Sequence, residues 1–109
     1  VNATAVRVPV LIGHSESVTI ETELPVDIKD VMSDFKNNEG IELIDNPSKD
    51  EYPTAFVNGH GTDKVYVGRV RKSLSSDNIL NIWVVADNVR KGAALNSVQI
   101  AEELIKGAK

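Results

Sequence analysis

A chain of 109 residues holds one compact domain and leaves no room for a dinucleotide-binding domain beside a substrate domain. Hydrophobic residues at 41% and charged residues at 26% are ordinary for a globular protein, and the net charge of -4 provides no basic stripe on which nucleic acid could lie. No apolar run nears the roughly 20 residues of a bilayer span and no signal peptide opens the chain, so the expectation is a cytosolic protein without a membrane partner.

The Val-rich run from Ala5 to Ile12 predicts a first strand, with Pro9 at an edge or near its end, punctuated by Gly13. The chain begins without Met and enters this run almost at once, as a piece of a longer protein would. Ser17 to Glu23 alternates in the period of a half-buried strand, with Val18 and Ile20 on one face, and Pro25 ends it. Ile28, Val31, Met32 and Phe35 follow the i, i+3, i+4, i+7 spacing of one helix face, and core packing accounts for them better than ligand contact. Pro25 stands where a first helical turn tolerates proline. Asn37-Asn38-Glu39-Gly40 stops the helix, and Ile41 to Ile44 is a short strand.

The stretch from Asp45 to Asp63 exceeds the usual limit of about 12 to 15 residues for a structureless loop, so it should pack on something or work. Val65 to Arg71 and Ile79 to Ala86 predict two strands joined by the turn Ser75-Ser76-Asp77-Asn78, most simply as a hairpin. From Asn88 to Lys106 a last helix is expected, with Asp87 or Asn88 as its cap. Its stripe of Ala94, Val98, Ala101 and Ile105 is broadened by Ala93, Ile100 and Leu104, more than a small sheet needs, which points to a second layer or another domain. The sum is an α+β fold with helices on one face of a mixed, largely antiparallel sheet.

Arg7 and His14 are the first candidates for chemistry. On a continuous strand they would stand about 23 Å apart and point to opposite faces. A bend near Ile12-Gly13 would bring them together, because glycine adopts positive φ without steric cost. A guanidinium can then hold a carboxylate by two parallel hydrogen bonds while a neutral imidazole accepts a proton. Taken alone, each has a plainer reading, a surface arginine and a turn histidine. Arg69, Arg71 and Lys72 fit exposed alternating charge better than a phosphate site, and His14 and His60 lack metal-ligand spacing, so no metal is expected.

Arg7-Val8-Pro9-Val10, two residues, then Gly13-His14-Ser15 resembles a segment of aspartate-semialdehyde dehydrogenases. Trp83 to Glu102, with Ala86-Asp87-Asn88-Val89-Arg90-Lys91-Gly92-Ala93-Ala94 at its centre, resembles that family's closing strand and helix. Tyr52-Pro53-Thr54 and Val67-Gly68-Arg69-Val70-Arg71 match in the expected order between them. Ala55 departs from the family's frequent second proline, and the stretch from Glu23 to Lys49 matches least.

The resemblance implies that residues 1–109 are the C-terminal part of the catalytic and dimerisation domain, a partial glyceraldehyde-3-phosphate dehydrogenase-like fold. His14 would be the proton acceptor, Arg7 the substrate-carboxylate contact and Asn88 the contact to an NADP cofactor held mainly by a missing N-terminal domain. The last helix would pack on that domain. The implied reaction interconverts L-aspartate 4-semialdehyde plus phosphate and L-aspartyl 4-phosphate, on the route to lysine, threonine and methionine, in a homodimer or homotetramer. The family's cysteine nucleophile has no counterpart, since the chain has no cysteine, and Gly59-His60-Gly61 is followed by a strand and cannot serve as a dinucleotide turn. This chain alone should therefore be inactive. The competing expectation is a stand-alone module that binds an amino acid or dimerises without catalysis.

Overall fold

The computed structural model describes residues 1–107. Strands β1 (His14–Glu21), β2 (Ile41–Leu43), β3 (Val65–Lys72) and β4 (Ile79–Ala86) form one sheet in the order β1-β4-β3-β2. β4 pairs antiparallel with both β1 and β3, and only β2 runs parallel to its neighbour β3. Helices α1 (Ile28–Asn37), α2 (Ala55–Asn58) and α3 (Leu95–Gly107) complete the expected α+β, mixed and largely antiparallel architecture. Among the described residues no helix is long and apolar enough to cross a membrane.

The apolar stripe of α1 does what its spacing predicts. Ile28, Val31, Met32 and Phe35 pack on the buried cluster of Val67, Val70, Leu80 and Ile82. The helix starts where the Asp27 carboxylate accepts the Lys29 N–H at 2.7 Å, two residues after Pro25. Alternation along β4 sends Leu80 and Ile82 toward α1 and Trp83 and Val85 to the opposite side. There the long loop covers the sheet: the Trp83 indole N–H donates to the Pro53 carbonyl at 2.9 Å, and Pro53 and Val85 are fully buried. The loop earns its length by packing, and it contains a 3-10 turn at Pro47–Lys49 and the single turn α2, neither long enough to show a period in the sequence.

A bulge interrupts β3 between Gly68 and Arg71. Arg69 takes a left-handed φ of 55°, and the freed Val70 N–H donates to the Asp45 carboxylate at 2.8 Å. Gly68 is required here, since a Cβ would strike the Ile44 carbonyl oxygen and lie 2.6 Å from Pro53 Cδ.

The strand expected over Ala5–Ile12 does not form. The segment is irregular and mostly exposed, with the Val10 N–H turned back to the Val8 carbonyl around Pro9. Two causes act together. Pro9 has no N–H for a ladder, and the left-handed turn at Gly13 takes the run before it out of line with β1. β1 begins instead at His14, earlier than the alternation from Ser17 predicts. The expected last helix opens as a π turn at Arg90–Ala94 before continuing as α3, whose Val98, Ile100, Leu104 and Ile105 stay 54–71% exposed.

Candidate functional site at the end of the β1–β4 pair

Gly13 makes the bend that the sequence requires. Its φ of +99° lies in the left-handed region, and a Cβ there would come 2.9 Å from the Gly59 carbonyl and 3.0 Å from the Ala55 carbonyl. The turn is thus pressed against the end of α2, where Gly59 also has to be small. The Gly13 N–H donates to the Asn88 side-chain carbonyl at 3.3 Å. Immediately after this bend His14 enters the ladder opposite Ala86, two residues before Asn88. The structure therefore brings His14 and Asn88 to one end of the same strand pair.

Asp87, not Asn88, caps the last helix. It is 3% exposed, and its carboxylate accepts N–H groups of Val89 and Arg90 through one oxygen and that of Gly61 through the other. The Gly61 hydrogen bond is the largest cause holding this carboxyl below its ordinary value of 3.8; the Arg90 and Val89 N–H groups add to it and burial opposes them. Gly59-His60-Gly61 is thus a turn tied to the helix start. Arg90 is anchored in addition by Asp63, at 2.6 Å from its Nε.

Asn88 is left with a divided role. Its carbonyl oxygen accepts from the Gly13 N–H and keeps a second lone pair, and its amide N–H groups have no hydrogen-bond partner among the described residues.

His14 is 59% exposed on the side chain, and its Nε2 lies 3.0 Å from the Glu16 carboxylate. Arg7 is exposed and makes no hydrogen bond or ion pair among the described residues, so the bend exists but no contact ties the guanidinium to the imidazole. The two concavities along α3, lined in part by Lys91, Gln99 and Glu103, include none of Arg7, His14 and Asn88. What the chain presents is an open half of a site: a base-type side chain, an amide and an unanchored cation, without walls around them. Arg69 stacks 5.9 Å from the Tyr52 ring and Lys72 pairs with Asp77, which accounts for the basic residues of β3 as surface structure.

Sequence reasoning missed Glu16 and the Ala55–Gly59 support. Glu16 was findable, because residues two apart on a strand share a face. The support was not, because it depends on where a single helical turn comes to rest.

An α+β domain built on a mixed, largely antiparallel sheet is the class this fold defines, and the similarities to known proteins agree with it. The family model described as semialdehyde dehydrogenase, dimerisation domain, matches residues 1–91, and the chain belongs to that family. Among its relatives are the aspartate-semialdehyde dehydrogenases of Shewanella sp. (strain DB6705), 58% identical, and of Aquifex aeolicus, 50% identical; each match covers 97% of this chain and 31% of the relative. The crystal structure of aspartate semialdehyde dehydrogenase II complexed with ASA from Vibrio cholerae superposes with a TM-score of 0.82 at 49% identity, over 92% of this chain and 29% of that one. The chain thus spans under a third of the length of these relatives.

Proposed function

We propose that the chain acts as the C-terminal part of an NADP-dependent aspartate-semialdehyde dehydrogenase, with His14 as general base, Arg7 as the substrate-carboxylate contact and Asn88 as a cofactor contact. The reaction is the interconversion of L-aspartate 4-semialdehyde plus phosphate with L-aspartyl 4-phosphate, within lysine, threonine and methionine biosynthesis. The carrying observation is the hydrogen bond from Gly13 to Asn88, which couples the residue before the base to the residue offered to the cofactor.

In this reading the cysteine nucleophile comes from the remaining two-thirds of the enzyme. His14 takes the proton of the attacking thiol or of the hydroxyl that forms on the former aldehyde carbon. Arg7 gains its function when a substrate carboxylate accepts both guanidinium N–H groups, which fits a side chain with no partner of its own here. NADP supplies the hydride acceptor when bound. Asn88 fits its carboxamide as an N–H donor, and its nucleotide part needs the domain that this chain lacks. The exposed apolar face of α3 docks on that domain, and the full-length enzyme assembles as a cytoplasmic homodimer or homotetramer.

The test is phosphate-dependent reduction of NADP by aspartate semialdehyde in the full-length enzyme carrying this sequence. His14→Ala should lower kcat by at least about 100-fold, the usual worth of a positioned base. Retained activity would remove His14 from its role.

A further inference from the structure

We propose that Asn88 is also a positioning residue for His14: its side-chain oxygen accepts the Gly13 N–H and so holds the turn from which His14 enters β1. The proposal rests on the reading of His14 as the general base and of Asn88 as a cofactor contact.

The β1–β4 register shows why the turn needs this acceptor. His14 and Ala86 are the first pair of the ladder, so one further step would set Gly13 against Asp87. The Asp87 carbonyl is already turned into the last helix, where it accepts the Lys91 N–H at 2.8 Å. The Gly13 N–H is met instead by the Asn88 side-chain oxygen at 3.3 Å, a hydrogen bond across 75 residues of sequence. The orientation of the amide follows from its chemistry. Facing an N–H, a primary amide offers its oxygen, because its nitrogen only donates.

Neither end of this bond is loose. Gly13 holds its φ of +99° with its backbone against the Ala55 and Gly59 carbonyls. Asn88 follows the buried Asp87, whose carboxylate takes the N–H groups of Gly61, Val89 and Arg90, so the backbone that carries the Asn88 side chain is fixed. The bond therefore links two anchored backbones, and cutting it loosens the residue next to His14 without touching the ladder or the core. The amide N–H groups have no partner among the described residues, so the acceptor and donor halves of this one side chain serve different tasks and can be removed separately.

The experiment compares Asn88→Ala, Asn88→Asp and His14→Ala in the full-length enzyme, measuring kcat at saturating NADP, KM for NADP, and hydrogen exchange of the Gly13 amide in the cofactor-free enzyme by mass spectrometry. Asn88→Ala loses both halves of the side chain. It should speed Gly13 exchange and lower kcat by about fivefold each, the usual net worth of one hydrogen bond, and raise KM for NADP. Asn88→Asp keeps an acceptor in the same place and lacks the N–H donors, so it should restore slow exchange and most of kcat while KM for NADP stays raised. Unchanged Gly13 exchange in Asn88→Ala, or a kcat in Asn88→Asp as low as in Asn88→Ala, overturns the proposal. Activity surviving His14→Ala removes the base and the proposal with it, whereas an inactive His14→Ala enzyme beside native Gly13 exchange in Asn88→Ala sinks only the positioning role of Asn88.

Discussion

Gly13 shows how one residue carries both fold and site. The sequence marks it as the point where a strand-like run stops and as the residue before a candidate base. The need for a bend there follows from strand geometry alone. What opposes Gly13 does not, because Ala55 and Gly59 arrive from a loop more than forty residues away whose path has no periodicity to read. An alanine at this position would face the left-handed φ and two backbone carbonyls at once. Gly13→Ala should cost about 2 kcal/mol of stability by thermal or urea melting. It should also reduce activity of the full-length enzyme more than its stability loss explains, because the turn that delivers His14 must move. An unchanged melting curve would show that the turn has room that the carbonyl distances deny.

Among the elements, α1 and the β3–β4 hairpin were legible because their sequence period is their packing period. The Val-rich run before Gly13 was misread for the complementary reason. Strand propensity describes a surface that fits a sheet, and it does not register a proline without an N–H or a left-handed turn that takes the run out of line with the ladder. The cap of the last helix was legible only as a choice between Asp87 and Asn88; burial and the three N–H groups converging on Asp87 decide it. Because the folded carboxyl titrates below its ordinary value of 3.8, its contribution is fully present above that pH and is lost as pH falls through the lower folded value. Melts at pH 7 and pH 3 should therefore show a steeper acid loss for the native chain than for Asp87→Asn, with the variant less stable at pH 7. Parallel curves would mean that the Gly61 and helix-start hydrogen bonds do not favour the charged form.

At the scale of the whole molecule, the sheet and α1 close their own core, while α3 leaves its apolar residues uncovered. The breadth of that stripe was readable in the sequence as surplus to a small sheet. Its surplus becomes concrete in the structure, where the helix meets mainly the π turn that precedes it. A helix of this kind adds little to the stability of the chain that carries it, and much to an interface that covers it. Leu104 separates the two, being 71% exposed here and part of the apolar face offered to the proposed N-terminal domain. Leu104→Ala keeps a good helix former, so it should leave the melting temperature of this chain unchanged. Against the remaining part of the enzyme supplied as a separate chain, it should weaken association by about 2 kcal/mol, roughly thirtyfold in Kd by calorimetry. Equal affinities would place the covered face elsewhere and leave the apolar stripe of α3 without the role proposed for it.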